Sequence, residues 1–270
     1  MVFFVNKVKE KPKMENETIV SVMKRYELKY RLSKDQLAFF ISKIKGHMQV
    51  DKYGLTSIAS IYFDTPDFRL INKSIEKPKY KEKVRLRGYG LAKPGKPVFL
   101  EVKRKCEGVV YKRRISLSEE DAYELILNKK AKGNDQISKE LVAFMEKYPN
   151  LEAKYLIIYE REAYYQEGTD LRVTLDMNPR YRVSDLNLHT SLDGTPLLED
   201  GGAILEIKVQ HSLPLWLVAI LSEGKIYKTS FSKVGTAHQK EMAKLIERKV
   251  HVFSESKYMV KGEKKYGFAV

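Results

Sequence analysis

The chain has 270 residues, 43% of them hydrophobic, which is enough for one large domain or two small ones with a sizeable core. Fifty Lys and Arg against 35 Asp and Glu leave a formal charge of +15, an excess that calls for an anionic partner such as nucleic acid, an anionic membrane or a phosphate compound. Charged residues at 31%, beside 17 Tyr and 11 Phe, argue against an acidic disordered chain, a collagen-like chain and an integral membrane protein.

The first residues, Met1-Val2-Phe3-Phe4-Val5, are apolar only briefly before Lys7, Lys9, Lys11 and Lys13 intervene. A secretory core needs roughly 7–15 apolar residues behind a basic segment, so no leader is read here. Residues 1–20 are expected to form a flexible basic arm, residues 21–255 one domain and residues 256–270 a C-terminal tail. From Lys24 the pattern has period two: Tyr26, Leu28, Tyr30 and Leu32 share one face, Arg25, Glu27, Lys29 and Arg31 the other. A helix should follow, because Ser33 with Gln36 makes a capping box and Leu37, Phe40, Ile41 and Ile44 line one side. Strands are expected at Thr56–Phe63, Lys81–Tyr89, Pro97–Lys105 and Val109–Leu117, then helices from Ser118 to Asn128 and from Ser138 to Lys147. Three more strands are expected at Tyr155–Tyr165, Leu171–Met177 and Ala203–Gln210. Pro214 should sit in the first turn of a short helix ending at Leu221, and its all-round apolar character predicts burial. That run is far below the ~18–20 residues that span a bilayer. A last helix from Ser232 to Lys249 completes an α+β protein rich in antiparallel strands.

The single cysteine, Cys106, excludes an internal disulfide and a Cys-based zinc cage, and agrees with a cytoplasmic setting. His47, His189, His211, His238 and His251 lack metal-ligand spacing and read as surface or capping residues. No Walker loop, dinucleotide fingerprint or kinase signature is present.

The informative feature is the polar face of the strands. Lys83, Arg85 and Arg87 share one face, as do Glu101, Lys103 and Lys105, then Lys112 and Arg114. Arg161 is in phase with Tyr159, Arg172 with Thr174 and Asp176, and Glu206 with Lys208. A solvated sheet face carries the same residue types, but it ordinarily mixes signs and includes Thr, Ser and Gln, whereas long cations dominate here. If helices cover the apolar faces and the sheet curls, the charged faces meet inside a barrel. Two cations ~7 Å apart at an effective dielectric of ~20 repel by about 2 kcal/mol, so such a cluster suits a polyanion with closely spaced charges, a triphosphate or polyphosphate. The interspersed Glu residues suit Mg2+ or Mn2+ bridging phosphate oxygens. Ser232 heads the last helix, where an anion is favoured, and is equally a plain cap. RNA fits less well, because the cations do not interleave with stacking rings on one face.

At this point the motifs become familiar. Arg25-Tyr26-Glu27-Leu28-Lys29-Tyr30, Ser60-Ile61-Tyr62-Phe63-Asp64-Thr65, Arg85-Leu86-Arg87-Gly88-Tyr89-Gly90 and Phe99-Leu100-Glu101-Val102-Lys103 resemble the catalytic domain of the vacuolar transporter chaperone (VTC) family, within the triphosphate tunnel metalloenzymes. The likeness continues in order through Tyr159-Glu160-Arg161, Leu171-Arg172-Val173, Leu205-Glu206-Ile207-Lys208 and Phe231-Ser232-Lys233. The resemblance implies an antiparallel eight-stranded β-barrel tunnel surrounded by helices. It implies a polyphosphate polymerase that moves the γ-phosphate of ATP onto a growing chain with Mn2+ or Mg2+. Lys29, Arg85, Arg87, Lys103, Arg161, Arg172 and Lys233 would then hold the triphosphate and the chain, and Glu206 the metal. A further tunnel cation falls on Lys112 or Arg114, and strand phase does not choose between them. Ser232, Lys208, Glu27 and Glu101 complete the candidate substrate-binding set.

Tunnel triphosphatases and related cyclases begin with Glu-x-Glu-x-Lys, whereas the first position here is Arg25. Losing a carboxylate and gaining a cation should weaken water activation and favour transfer onto phosphate. The rivals are a tunnel triphosphatase acting on inorganic triphosphate or nucleoside triphosphates, and a non-catalytic polyphosphate-binding module. ATP and inorganic polyphosphate are the expected partners, with no nucleic acid. With neither an inositol-phosphate-binding domain nor a membrane segment in the sequence, a stand-alone bacterial form is expected.

Overall fold

A computed structural model describes residues 26–262 apart from 77, 94 and 108, with side chains as far as residue 249. The expected basic arm, Arg25 and residues 263–270 of the expected tail lie outside the described residues.

Strand β1 (Tyr26–Leu32) leads into helix α1 (Lys34–Ile44). The capping box forms as its sequence dictates: Gln36 N–H donates to Ser33 Oγ at 3.2 Å, and Ser33 N–H to Gln36 Oε1 at 3.0 Å. Then come β2 (Gln49–Val50), β3 (Thr56–Asp64), α2 (Arg69–Ile75), β4 (Tyr80–Tyr89), β5 (Val98–Cys106) and β6 (Val109–Leu117). Helices α3 (Glu119–Asn128) and α4 (Gln136–Lys147) follow, then β7 (Glu152–Tyr165), β8 (Arg172–Arg182), β9 (Thr195–Pro196) and β10 (Ala203–Val209). The chain closes with α5 (Leu215–Glu223), β11 (Lys228–Thr229) and the 30-residue α6 (Lys233–Gly262). The last helix therefore runs on past the expected end at Lys249.

The strands form one antiparallel sheet in the order β11-β1-β10-β8-β7-β3-β4-β5-β6, with β2 on β7 and β9 on β8. Of its eleven strands among the described residues, three have two residues each, leaving the eight long strands that were expected. The closed barrel is corrected: among the described residues no ladder joins β6 to β1 or β11. The sheet nevertheless curls, because Lys103 of β5 and Glu27 of β1, near opposite edges, meet at 3.1 Å.

Two apolar layers line the outer face. Val84, Leu86, Leu100 and Val102 pack with Leu125, Ile126, Leu141 and Phe144 of α3 and α4. Leu32, Val173, Leu205 and Ile207 pack with Phe40, Ile44, Leu217 and Ile220 of α1 and α5. Burial of a Leu or Phe contributes roughly 1.5–3 kcal/mol, so these layers fix the apolar face outward and leave the charged face inward. A third, smaller cluster joins Ile58, Ile157 and Tyr159 to Ile71 of α2 and Val234 of α6. It seats the start of α6 against the inner face.

Four local expectations need correction. Helix α4 begins two residues before Ser138, because Asp135 rather than Ser138 is its cap, accepting from Ile137 N–H and Ser138 N–H. Pro214 stands at the cap position of α5, not inside its first turn. That helix is not buried all round: Leu217, Ile220 and Leu221 pack inward, while Leu215 is 86% and Val218 44% exposed, since only the α1 side is covered. His238 is a core residue, not a surface one, with Nδ1 2.9 Å from the Tyr155 hydroxyl.

Candidate functional site

Strand pleat places the inner residues, and neighbouring strands bring them into three groups, each built around a buried carboxylate. The first centres on Glu101 of β5, only 2% exposed. Arg85 Nε donates to Glu101 Oε2 at 2.7 Å, and Arg87 lies 4.0 Å from the same oxygen. Lys112 and Arg114 of β6 approach Oε1 at 2.8 and 3.5 Å, so both of the alternatives that phase left open lie beside Glu101. Burial alone would raise this carboxyl, but Arg85, Arg87 and Lys112 hold it far below the ordinary range. Aromatic rings support the cations from behind: Arg114 lies 3.8 Å from the Phe99 ring centre, and Arg85 packs over Tyr62.

The second group centres on Asp176 of β8, which is fully buried. Arg161 of β7 grips it with two hydrogen bonds of 2.6 and 2.8 Å, and Lys233 at the start of α6 donates to the same carboxylate. Burial opposes the charge, yet Lys233 and Arg161 bring its pKa down to about 2. Tyr159 lies beneath both cations, 5.3 Å from Arg161 and 4.4 Å from Lys233.

The third group contains two carboxylates. Lys29 of β1 bridges Glu27 at 3.1 Å and Glu206 of β10 at 3.4 Å, while Lys208 holds Glu206 at 2.5 Å and Lys103 holds Glu27 at 3.1 Å. Register explains the pairing: Lys29 lies opposite Glu206, and Glu27 opposite Lys208. Burial pushes Glu206 up, but Lys208, Lys29 and Arg161 hold it well below the usual carboxylate value. For Glu27, burial and the nearby Glu206 work against the lowering by Lys103 and Lys29.

Arg172 is the outlier of the expected set. It shares the inner phase but is exposed, rests on the Tyr165 ring at 5.4 Å and has no carboxylate partner among the described residues. Ser232 caps α6 through its Oγ, which accepts from Gly235 N–H at 3.2 Å, and it also accepts from Lys83 Nζ at 2.9 Å.

Several contributors were not singled out as site residues from sequence. Asp176 was visible only as a residue in phase with Arg172, and that phase was its one signal. Tyr62 lies within the inner group with its hydroxyl 2.9 Å from Arg85 Nη1. Burial raises its pKa, but Arg85, Lys83 and Arg87 bring it down to about 7. Ser60 and Tyr159 accept from Arg87 at 3.2 and 3.3 Å. Thr174, on the same face as Glu206, has a buried hydroxyl without a hydrogen-bond partner among the described residues.

The donor set limits what metal the site could hold. Among the described residues no three His, Cys, Asp or Glu side chains converge on one point, so these residues supply no metal cage of their own. Glu27 and Glu206, linked through Lys29, form a two-carboxylate pair. That suits a hard divalent ion taking its remaining ligands from phosphate oxygens and water.

A family profile described as the VTC domain matches residues 24–261, spanning all three groups. The chain belongs to the VTC domain family. Among solved structures, this VTC domain is similar to a candidate adenylate cyclase from Bacillus halodurans, with 16% identity and a TM-score of 0.48 over 78% of this chain and 96% of that one. It is also similar to an adenylyl cyclase candidate from Hippeastrum described as having a dominant triphosphatase activity, at 17% identity and a TM-score of 0.47 over 79% and 95% of the two chains. A third, a candidate adenylate cyclase from Vibrio parahaemolyticus, gives 14% identity and 0.45 over 79% and 97%. A comparison with curated proteins returns no match. Among the described residues no helix of the VTC domain is long and apolar enough to cross a membrane.

Proposed function

We propose that this VTC domain is a polyphosphate polymerase that transfers the γ-phosphoryl group of ATP onto the end of an inorganic polyphosphate chain, in the cytoplasm. The observation that carries the reading is the meeting of cations from β1, β4, β5, β6, β7, β10 and α6 on one inner face. Phosphoryl transfer needs alignment and neutralisation of charge more than covalent help from the protein. Arg85, Arg87 and Lys103 would grip the transferring phosphate, with Lys112 and Arg114 beside them. Lys29, Arg161, Lys208 and Lys233 would hold neighbouring phosphates, and Arg172 would meet the chain at the rim. Apart from Arg172, each of these cations is already oriented by a carboxylate, so little ordering remains to be done when a polyanion enters. An acceptor phosphate oxygen is anionic already, and no strong general base is required. Glu206, with Glu27 alongside, would hold Mg2+ or Mn2+, which supplies charge neutralisation between phosphates when bound.

A triphosphatase is the second reading, and the Glu27–Glu206 pair is the observation that favours it, since a water-directed reaction also needs a metal-holding pair. Against it stands Arg25 in the first motif position, where hydrolases of the superfamily carry Glu. Incubation with ATP and Mn2+, followed by electrophoresis, separates the readings: long phosphate chains support the polymerase, and orthophosphate without chains supports the hydrolase. Tight polyphosphate binding without turnover across several divalent metals would mark a binding module.

A further inference from the structure

Nearly all the inner-face cations in the three groups are held by a carboxylate, but Lys83 of β4 is not. Among the described residues no carboxylate pairs with it, and its Nζ donates to Ser232 Oγ at 2.9 Å. It lies directly opposite Lys103 in the β4–β5 register. The groups facing it are Tyr62 of β3, Lys29 of β1, Lys103 of β5, Lys81 on its own strand and Ser232 at the start of α6. Only the Tyr62 phenol can supply negative charge among them. The same serine caps a 30-residue helix, whose N-terminal end adds partial positive charge.

We propose that Lys83 and Ser232 form a further phosphate subsite, taking the terminal phosphate group of an inorganic triphosphate or polyphosphate chain. The phosphate provides the counter-charge that no carboxylate gives, and the Ser232 hydroxyl turns its hydrogen towards it. This subsite rests on the phosphate-handling reading above. Burial is the main influence on the amine, and with repulsion from Lys29, Lys81 and Lys103 it outweighs Tyr62 and brings the pKa down to about 8. As pH rises through that value the subsite loses its charge, whereas a guanidinium in the same place keeps it.

Calorimetric titration of the full chain with inorganic triphosphate, without metal, tests this at pH values below and above 8. Below it, Lys83→Met should bind roughly tenfold more weakly than wild type, the loss of about one charge-assisted hydrogen bond. Lys83→Arg should match wild type below pH 8 and lose affinity less steeply than wild type above it, the fall that remains being that of Tyr62. If Lys83→Met equals wild type in affinity and pH profile, or Lys83→Arg declines above pH 8 as wild type does, the subsite is overturned while the wider reading stands. If wild type binds no triphosphate at all, the wider reading fails and the subsite with it. Should Lys83→Met not fold, the pH profile of Lys83→Arg decides alone.

Discussion

Lys103 and Glu27 meet at 3.1 Å although their strands stand near opposite ends of the sheet order. The contact links the two ends of a curled sheet by side chains where, among the described residues, no backbone ladder does, and it does so with the groups that would face a polyanion. The Lys103 side chain is 40% exposed, so the pair adds at most about 1 kcal/mol to stability.

Lys103→Ala should therefore leave folding nearly intact while lowering polyphosphate synthesis at least tenfold, about the effect of one lost charge-assisted hydrogen bond. Thermal unfolding beside a chain-synthesis assay checks it. Arg87→Ala is a different case: Arg87 is 5% exposed and donates to Ser60 and Tyr159. Its loss should cost about 2 kcal/mol of stability as well as activity.

Asp176→Asn should destabilise the fold by roughly 3 kcal/mol, because the half-buried Arg161 and Lys233 are left facing each other without the buried counter-ion between them. The carboxyl has its folded pKa lowered to about 2, against an ordinary value of ~3.9. Its stabilisation is thus fully present above the ordinary value and lost as pH falls towards the folded one. Denaturant midpoints across acidic pH should fall more steeply for wild type than for Asp176→Asn.

Tyr62 should titrate near neutrality, since its pKa is lowered to about 7 by cations that a polyanion would also engage. A bound triphosphate draws on the same cations and favours the neutral phenol, so binding above that pH should take up a proton. Calorimetry in buffers of different ionisation heat measures the uptake. Near pH 7 Tyr62→Phe should lower the uptake and leave the part that Lys83 takes up, and unchanged uptake in that variant would contradict the assignment.

Glu206→Gln separates metal holding from cation holding. The amide loses most of its metal affinity, so metal-dependent turnover should fall at least tenfold. Triphosphate binding without metal should hold or rise, because a carboxylate competing for Lys29 and Lys208 is gone. An equal fall in both would mean that Glu206 serves only to organise the cations.

Strand phase carries a face assignment in its alternation, and so Lys29, Arg85, Lys103, Arg161 and Glu206 could be placed together before any coordinates. Phase does not say which strands lie side by side. That is why phase does not choose between Lys112 and Arg114, which both lie against Glu101, and why Asp176 was not recognised as the partner of Arg161 and Lys233. Helix α2 shows a second kind of silence. Phe68 at its start has a left-handed backbone and no side-chain cap, and the free N–H groups of Leu70 and Ile71 are taken instead by the buried Asp64 carboxylate at 2.8 and 2.7 Å. No local capping signature exists to read there. Strands β2, β9 and β11 have two residues each, too short for any period to register. For α5 the composition misled, because an apolar surface needs a neighbour to be buried and only one side of that helix has one.

The central claim is tested most directly by following the label from γ-labelled ATP with Mn2+ in wild type and Lys103→Ala together. The account predicts label in long phosphate chains made by wild type and largely missing from the variant. Label recovered only as orthophosphate, or chains made equally well by both proteins, would contradict it.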